Sequence, residues 1–501
     1  MTVYGRAIAL LGDQPALAEV AAYPFGFDLA GAERGGTARL ASGAPLVPLA
    51  GDGSAGGYFV CGDGPVLYAS ADGRAGLVAA SADEALELAI GLPRWRTLLH
   101  LTPAGAGPES AALAAASEAE IRKPPPDPGA SRPGIPGPGA QRAALRGALG
   151  LPDRSPAELF ALLHTALLRT EPDHLLLGSA GGRAHALLDP HPRTPLRETV
   201  LSPGLADLAR LRDDTAGWAA VAGDGVRRAT VLRAAQFDRQ NRDLPLLRRL
   251  LAAETAGPGT GEDLRLATVL VALHGSADDV PLLRAARAAP QAARWGAAEI
   301  PERPADIVEW ARGLGGPHLG QDPSREPELT WIRLARRQGR TEHARVALLR
   351  MLDASGPRAD LLRVLSVELE ALGDLRQAAR AQSGYAALVD EPRERGLAHR
   401  GLAALQRRTG ELPAAWRTLR PVPEMLDSDD SERRWRRLGP GRMVAAEHFE
   451  LALAAAGAGL ASIAQESLAV ARELHAGMGK SAQRSLGMLA QETKWAVARL
   501  K

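Results

Sequence analysis

Short apolar runs alternate with glycine- and aspartate-rich turns between residues 46 and 79. The apolar runs cover residues 46–49, 57–61, 65–69 and 75–79, and the turns between them lie at 51–54, 62–64 and 72–73. A spacing of about 8–12 residues between short strands is typical of an antiparallel meander. The pattern therefore predicts a small antiparallel sheet in this part of the chain.

Helical patterns flank this sheet on both sides. Ser81 stands three residues before Glu84, which is the spacing of a capping box at a helix start. The helix that it opens carries apolar residues up to Leu92, and an earlier helix is predicted over 15–22. Residues 1–101 are therefore predicted to form an α+β domain, a small antiparallel sheet flanked by helices.

The next hundred residues are predicted to form a linker and an accessory segment. Residues 102–141 are rich in alanine, proline and glycine, a composition typical of a semi-extended linker. Residues 142–195 predict a helix at 156–169 and a β-hairpin, with strands at 174–177 and 183–188 around a turn at 179–182.

From about residue 200 onward the apolar period becomes helical, and sequence repeats appear. The stretch 242–248 recurs at 278–284, an offset of 36 residues. Each copy carries a proline that suits a first helical turn. We divide this region into helices over 196–320 and a second set of helical repeats over 321–501.

Glycines mark the second set of repeats. Each glycine is followed five residues later by an alanine, in the pairs Gly339 and Ala344, Gly373 and Ala378, Gly410 and Ala415, and, as a fourth and degraded copy, Gly459 and Ala464. In a helix–turn–helix repeat the glycine ends one helix and the alanine lets the next helix approach closely. An ordinary helical bundle with unrelated glycines is the alternative.

Composition and charge narrow the classes of function. Of 501 residues, 46% are hydrophobic and 24% charged, with a net charge of +2, which excludes a fully disordered chain and a generally cationic nucleic-acid binder. Aromatic residues make up only 4%, so nucleic acid is a disfavoured partner. The single cysteine, Cys61, excludes a disulfide framework within the chain and a multi-cysteine zinc site.

The sequence also predicts the cellular location of the protein and the kind of genome that encodes it. The first residues lack a signal-peptide pattern and no apolar run is long enough for a membrane span, so we expect a cytoplasmic protein without a membrane partner. Arginine far outnumbers lysine, and alanine, glycine and proline abound, which we attribute to a GC-rich bacterial genome.

Four features that suggest chemistry have simpler interpretations. Residues 476–481 resemble the end of a phosphate-binding loop, but Leu474 stands where that pattern needs glycine, which favours a helix–helix turn. Ser54 lies in a hairpin loop without the glycine of a nucleophile elbow. The histidines between 174 and 191 lack metal-ligand spacing, and the basic run 433–437 follows acidic residues that can neutralise it. We expect no catalytic residues, no metal and no cofactor.

The turns and strands at 48–59 and 65–73, followed by a strand and the capped helix from Ser81 to Trp95, resemble the SUKH superfamily, also called the Smi–Knr family. The resemblance covers about residues 1–101 and implies an α+β fold that binds other proteins. Many bacterial members look like immunity proteins that neutralise secreted toxins. The resemblance and the turn placement together suggest protein-binding residues, namely Asp52, Tyr58, Asp63, Tyr68 and Asp72.

The charge of the first 101 residues adds a partner class to this expectation. They carry 6 basic and 10 acidic residues. An acidic surface suits a cationic partner, such as a nuclease toxin.

The helical region resembles two α-solenoid families. The glycine-to-alanine spacing over 329–420 is similar to tetratricopeptide (TPR) repeats, and the 242–284 pair looks more like HEAT repeats. Such solenoids present a concave protein-binding surface. We therefore expect a non-enzymatic protein–protein interaction protein, an immunity or partner-neutralising protein with a solenoid extension. The alternative is a scaffold or regulator whose solenoid binds several partners.

Overall fold

The computed structural model describes residues 5–35, 38–62, 64–93, 95–101, 137–178, 182–257, 259–293, 295, 299–320, 323–429 and 433–500. Three predictions fall outside these residues: most of the linker, the tip of the hairpin turn and the binding role of Asp63. The chain divides into two units, one that comprises residues up to Asp189 together with those from Leu348 onward, and one that runs from Pro190 to Ala347.

The first part of the first unit is the predicted α+β region. Its helices are α1 Arg6–Asp13, α2 Pro15–Ala22, α3 Ala82–Gly91, α4 Pro138–Leu149 and α5 Pro156–Leu168. Its strands are β1 Arg39–Leu40, β2 Leu46–Gly51, β3 Gly57–Cys61, β4 Val66–Ala69, β5 Arg74–Ala79, β6 Leu176–Leu177 and β7 Ala186–Leu187. The helix predicted at 15–22 and the four predicted strands are present, and Ser81 accepts a hydrogen bond from the Glu84 amide as the N-cap of α3.

The central sheet extends the predicted meander. Strands β2, β3, β4 and β5 pair antiparallel in chain order, and β7 adds to β5 in parallel. Strand β6 pairs instead with β1 in a separate two-stranded sheet. The hairpin predicted at 174–188 is present only as a bridge between Leu177 and Ala184, because its two strands diverge to different partners.

Both faces of the sheet are covered, which explains why β3 is buried along its whole length. On one face, Tyr58, Val60 and Tyr68 pack with residues from all five helices. On the other, Phe59 and Leu67 pack against β1, β6 and Ala166 of α5. Residues from α4 and α5 thus complete the same core as the first hundred residues.

The second unit is helical throughout its described residues. Its helices are α6 Leu196–Asp213, α7 Trp218–Gly223, α8 Gly225–Phe237, α9 Leu244–Ala256, α10 Gly261–Ala272, α11 Val280–Ala288, α12 Pro304–Gly315 and α13 Glu328–Arg337. Its core is formed by leucine, valine and alanine side chains from these helices.

The 36-residue sequence repeat has a structural counterpart in the second unit. Arg212 forms a two-pronged ion pair with Asp243, at 2.8 and 2.7 Å. Arg248 forms the same pair with Asp279, at 2.6 and 3.2 Å. Both arginines lie 31 residues before their aspartate. Both aspartates end a short 3₁₀ turn before a helix.

The remaining helices continue the chain. They are α14 Thr341–Ala354, which crosses from one unit to the other, and, in the first unit, α15 Ala359–Ala371, α16 Leu375–Leu388, α17 Pro392–Arg408, α18 Leu412–Leu419, α19 Val422–Asp429, α20 Gly439–Gly457, α21 Ala461–Ala476 and α22 Lys480–Ala498. None of the helices in the described ranges combines the length and apolar character of a membrane span.

All four predicted repeat glycines end a helix in the left-handed conformation, with φ between 73° and 81°. In each copy the amide after the glycine donates back to the carbonyl five residues earlier, as Asp374 does to Leu369 at 3.0 Å. This bond pattern is the Schellman motif, which favours glycine because its φ is positive. The alanines that follow, Ala344, Ala378, Ala415 and Ala464, are all fully buried. The helix–turn–helix interpretation therefore holds at the level of local structure.

Candidate protein-binding site

The predicted binding residue Asp52 organises the turn between β2 and β3. Its Oδ1 accepts hydrogen bonds from the backbone amides of Ser54 at 2.8 Å and Gly56 at 3.1 Å. The Ser54 hydroxyl also donates to it at 2.6 Å. These bonds close the hairpin loop between the two strands, in which Ser54 was predicted to lie.

The other carboxylate oxygen of Asp52 faces inward, toward Tyr68 and Arg96. The Tyr68 hydroxyl donates to Oδ2 at 2.6 Å, and the Arg96 guanidinium contacts both groups. Burial alone would raise the pKa of Asp52, but the bonds from Ser54 and Tyr68 and the charge of Arg96 outweigh it and lower the pKa to about 2. Asp52 is therefore a permanently charged, internally paired group at neutral pH.

Aromatic rings pack against the Tyr68 ring of this network. Tyr58 lies between Phe27 and Tyr68, with ring centres 5.1 Å from each, and Trp95 meets Tyr68 edge-on at 5.2 Å. Burial raises the pKa of Tyr58 to about 12, and burial together with Asp52 raises that of Tyr68 further. Both phenols stay protonated and belong to the core.

The predicted binding residues thus separate into groups. Asp52, Tyr58 and Tyr68 are brought together, but both tyrosines and the side chain of Asp52 are buried, and Asp52 and Tyr68 bond to each other. In this conformation their side chains are not available to a protein partner. Asp72 lies apart, exposed at the next turn, where it accepts a bond from Ser70 and pairs with Arg74 at 3.5 Å.

The basic run is accounted for by local structure, and Cys61 and Trp95 are buried core residues. In the basic run, Trp435 donates to Asp427 at 2.8 Å and Arg436 pairs with Asp427 at 2.7 Å, while the acidic residues 430 and 432 lie outside the described ranges. Within those ranges no three histidine, cysteine or acidic side chains are placed to hold a metal ion.

The stretch 476–481 is a helix–helix turn, as the missing glycine indicated. Helix α21 ends at Ala476 and α22 begins at Lys480, with Gly479 at the N-cap. Ser481 lies within the first turn of α22, and no side chain caps the helix.

A second polar site lies where the repeat helices hold a short segment of the chain itself, in which the left-handed turn residue Gly182 leads into the β-bridge residue Ala184. Arg350 and Asp353 on α14, together with Gln377 on α16, bond to the segment 182–185. Arg350 donates to the His185 carbonyl at 2.8 Å, Asp353 accepts from the Ala184 amide at 2.9 Å, and Gln377 donates to the Gly182 carbonyl at 2.7 Å. All three bonds go to main-chain atoms, so they need no particular side chain in the held segment, except that position 182 favours glycine, because its φ is positive and a Cβ atom there would meet Gln377.

No known protein family, curated protein or solved structure matches this chain. The geometry of the two sites therefore carries the functional argument.

Two further contacts complete the second site, which we call the clamp (Arg350, Asp353, Gln377 and Arg380). Arg380 pairs with Asp353 at 2.5 Å and donates to Gln377 Oε1 at 3.2 Å, which turns the Gln377 amide nitrogen toward the held segment. Arg350 also pairs with the carboxylate of Glu171 at 2.7 Å. The clamp thus offers donors and an acceptor to the main chain of a short segment, and one cation to an acidic side chain.

Sequence reasoning did not single out the clamp or Arg96. The signal that was present is a pair of polar residues three positions apart on each of two helices that follow a repeat glycine, Arg350 with Asp353 and Gln377 with Arg380. Residues three apart on a helix share a face. Such a pair is also typical of the solvent-exposed face of any amphipathic helix, so its pattern does not indicate a binding site.

Proposed function

We propose that this protein is a non-enzymatic protein-binding protein whose helical repeats hold short polypeptide segments by their main chain. The observation that carries the proposal is the clamp. Three side chains from two helices bind three main-chain groups within one short segment, in which the turn residue Gly182 leads into the β-bridge residue Ala184. Main-chain hydrogen bonds also supply the affinity when a peptide is bound as an added β-strand.

The held segment is part of this same chain, so the clamp is filled in the described conformation. The side chains of the contact range from buried to one-third exposed: Gln377 is 2% exposed, Asp353 20% and Arg350 34%. Ion pairs near the surface, such as that of Arg350 with Glu171, contribute little stability and weaken with salt. A partner segment with an acidic residue in the place of Glu171 would therefore compete first for Arg350.

This mode of binding suits the scaffold interpretation, in which the repeats carry the contacts. The immunity interpretation rests on the SUKH resemblance of the first 101 residues. Of its five suggested residues, Asp72 is exposed and available for contact. A toxin-neutralising role would therefore use the exposed turns of the meander rather than the buried tyrosines.

One experiment separates the two roles. The full chain is used to capture partners from its native cells, side by side with the variants Arg350→Ala/Gln377→Ala and Asp72→Ala. The clamp role predicts several partners that the first variant loses and the second retains. The immunity role predicts one dominant partner that Asp72→Ala weakens and the clamp variant retains. Partners that bind equally to all three proteins would contradict both assignments.

A further inference from the structure

Helix α22 exposes two large apolar side chains on one face. Met488 is 88% exposed and Trp495 is 59% exposed. Seven residues make about two helical turns, so the two side chains stand on the same side of the helix. The opposite side is formed by Leu486, Thr493 and Val497, which are buried.

Opposite charges flank Met488 on this exposed face. Arg484 lies one turn before Met488 and Glu492 one turn after it, and both are exposed. Within the described residues neither of them has an ion-pair partner. Along the helix, the face is therefore basic, apolar, acidic and then aromatic.

We propose that this face binds the same face of a second copy of the chain, with the two α22 helices antiparallel and the two-fold axis at Met488. In a two-fold contact a residue four positions before the axis faces the residue four positions after it on the other copy. Arg484 then faces Glu492 of the second copy, twice by symmetry. Met488 packs on its own counterpart.

The same register gives Trp495 a partner. Seven positions on the other side of the axis is Ser481 of the second copy, a small residue that leaves room for the indole. Arg484 of the second copy lies one helical turn from that Ser481. Its guanidinium therefore reaches both the Trp495 ring and the Glu492 carboxylate of the first copy. A guanidinium stacked on an indole is a favourable contact.

The self-complementary charge order favours a second copy over an unrelated protein. A parallel arrangement would set Arg484 against Arg484 and Glu492 against Glu492, which is unfavourable. The contact spans residues 481–495, about 21 Å of helix. One pair of helices in contact over this length buries less surface than a standard interface of about 1,600 Å². We therefore expect a weak dimer, with a dissociation constant in the micromolar range.

Sedimentation velocity on the full chain between about 1 and 200 µM tests the proposal, with four variants and one control. The wild type is expected to shift from monomer to dimer across this range. Arg484→Glu and Glu492→Arg should each weaken the dimer by about tenfold, since each change acts twice. The double variant, with the charges exchanged, should recover wild-type association. Trp495→Ala should weaken it by at least tenfold, and Val367→Ala, at an exposed apolar residue on α15, should leave it unchanged.

The changed residues are exposed, so the variants are expected to fold, and circular dichroism checks that they do. A chain that stays monomeric to 200 µM would overturn the proposal. So would a dimer that ignores Trp495→Ala, or one that the charge exchange fails to restore, since either would place the contact elsewhere. The clamp takes no part in this contact, so failure here leaves the proposed function untouched.

Discussion

Gln377 donates a hydrogen bond to the carbonyl of Gly182 at 2.7 Å, although 195 positions separate the two residues. Gly182 has φ = 65°, and a Cβ atom there would lie 2.7 Å from the Gln377 amide nitrogen. This close approach joins the segment 182–185 to the repeat helices and defines one end of the clamp.

Substitution of Gly182 tests this contact against a matched control. Gly182→Ala and Gly150→Ala place a side chain at nearly the same positive φ, but nothing lies within 4 Å of the Gly150 position. Both variants carry the strain of about 1 kcal/mol of a left-handed residue. Only Gly182→Ala displaces Gln377, so only this variant should speed hydrogen exchange of the Ala184 amide, by several-fold. Equal exchange in both variants would show that Gln377 does not hold the segment.

The Asp52 network predicts a dependence of stability on acid pH. The pKa of Asp52 is about 2 in the fold against 3.8 in the unfolded chain. The stabilisation is therefore complete above pH 3.8 and is lost as the pH falls through about 2. It amounts to about 2 kcal/mol, because one unit of pKa corresponds to about 1.4 kcal/mol.

Replacement of Asp52 by asparagine tests this network. Asp52→Asn should lower the free energy of unfolding by this amount at pH 7 and flatten its decline between about pH 4 and 2, as measured by urea denaturation. Asp72→Asn serves as the comparison: the hydrogen bond from Ser70 lowers the pKa of Asp72 too, but this carboxylate is exposed, so its replacement should flatten the decline much less. A decline as steep in the Asp52→Asn variant as in the wild type would rule out this role for Asp52.

His448 predicts a second pH effect, nearer neutrality. Its ring is fully buried, its Nδ1 lies 3.1 Å from the Ser467 hydroxyl, and burial lowers its pKa to about 3. The unfolded chain takes up a proton below pH 6.5 and the folded chain does not, so stability falls as the pH falls from 6.5 toward 3. The slope from this residue is up to about 1.4 kcal/mol per pH unit. His448→Gln should remove that slope in thermal unfolding between about pH 6.5 and 5, and an unchanged slope would contradict the assignment.

The repeated ion pair of the second unit allows a comparison within one protein. Arg212 is 6% exposed and Arg248 is 38% exposed; the two make the same contact with their aspartates, and Arg212 also bonds to Asp238. Removal of one partner from a buried pair costs about 3 kcal/mol, against about 1 kcal/mol or less near the surface. Arg212→Ala should therefore destabilise the chain about three times as much as Arg248→Ala in chemical denaturation. Equal losses would show that neither burial nor the additional bonds to Asp238 strengthen the Arg212 pair.

The local elements of this fold could be predicted from sequence, and the long-range pairings could not. The meander strands and the helix capped by Ser81 are encoded within a few residues. The pairing of Arg39 with Leu177 and that of Arg74 with Ala186 join segments more than a hundred positions apart. No local pattern specifies such pairings, and the predicted hairpin was therefore assigned strands that lie in two different sheets.

The candidate sites were harder to predict for a related reason. Strand β3 is apolar at every position, so alternation could not show that Tyr58 faces the core. Tyr58 and Tyr68 were suggested as contact residues from their place beside turns, and their burial depends on helices contributed later in the chain. The clamp residues are polar side chains on amphipathic helices, and their target segment lies far away in sequence.

The most direct test of the clamp is whether it binds a polypeptide that is not joined to it. The variant Glu171→Ala/Gly182→Ala weakens the contact of the chain's own segment with Arg350 and Gln377 and keeps the amino-acid identity of every clamp residue. A synthetic peptide of residues 170–188 is then titrated into this protein, and the side-chain amide signal of Gln377 is followed by NMR. The proposed function predicts saturable shifts of that signal, and no binding when Arg350→Ala/Asp353→Ala is added. If the Gln377 signal stays unchanged up to millimolar peptide, the clamp is an internal packing contact and the proposed function is wrong.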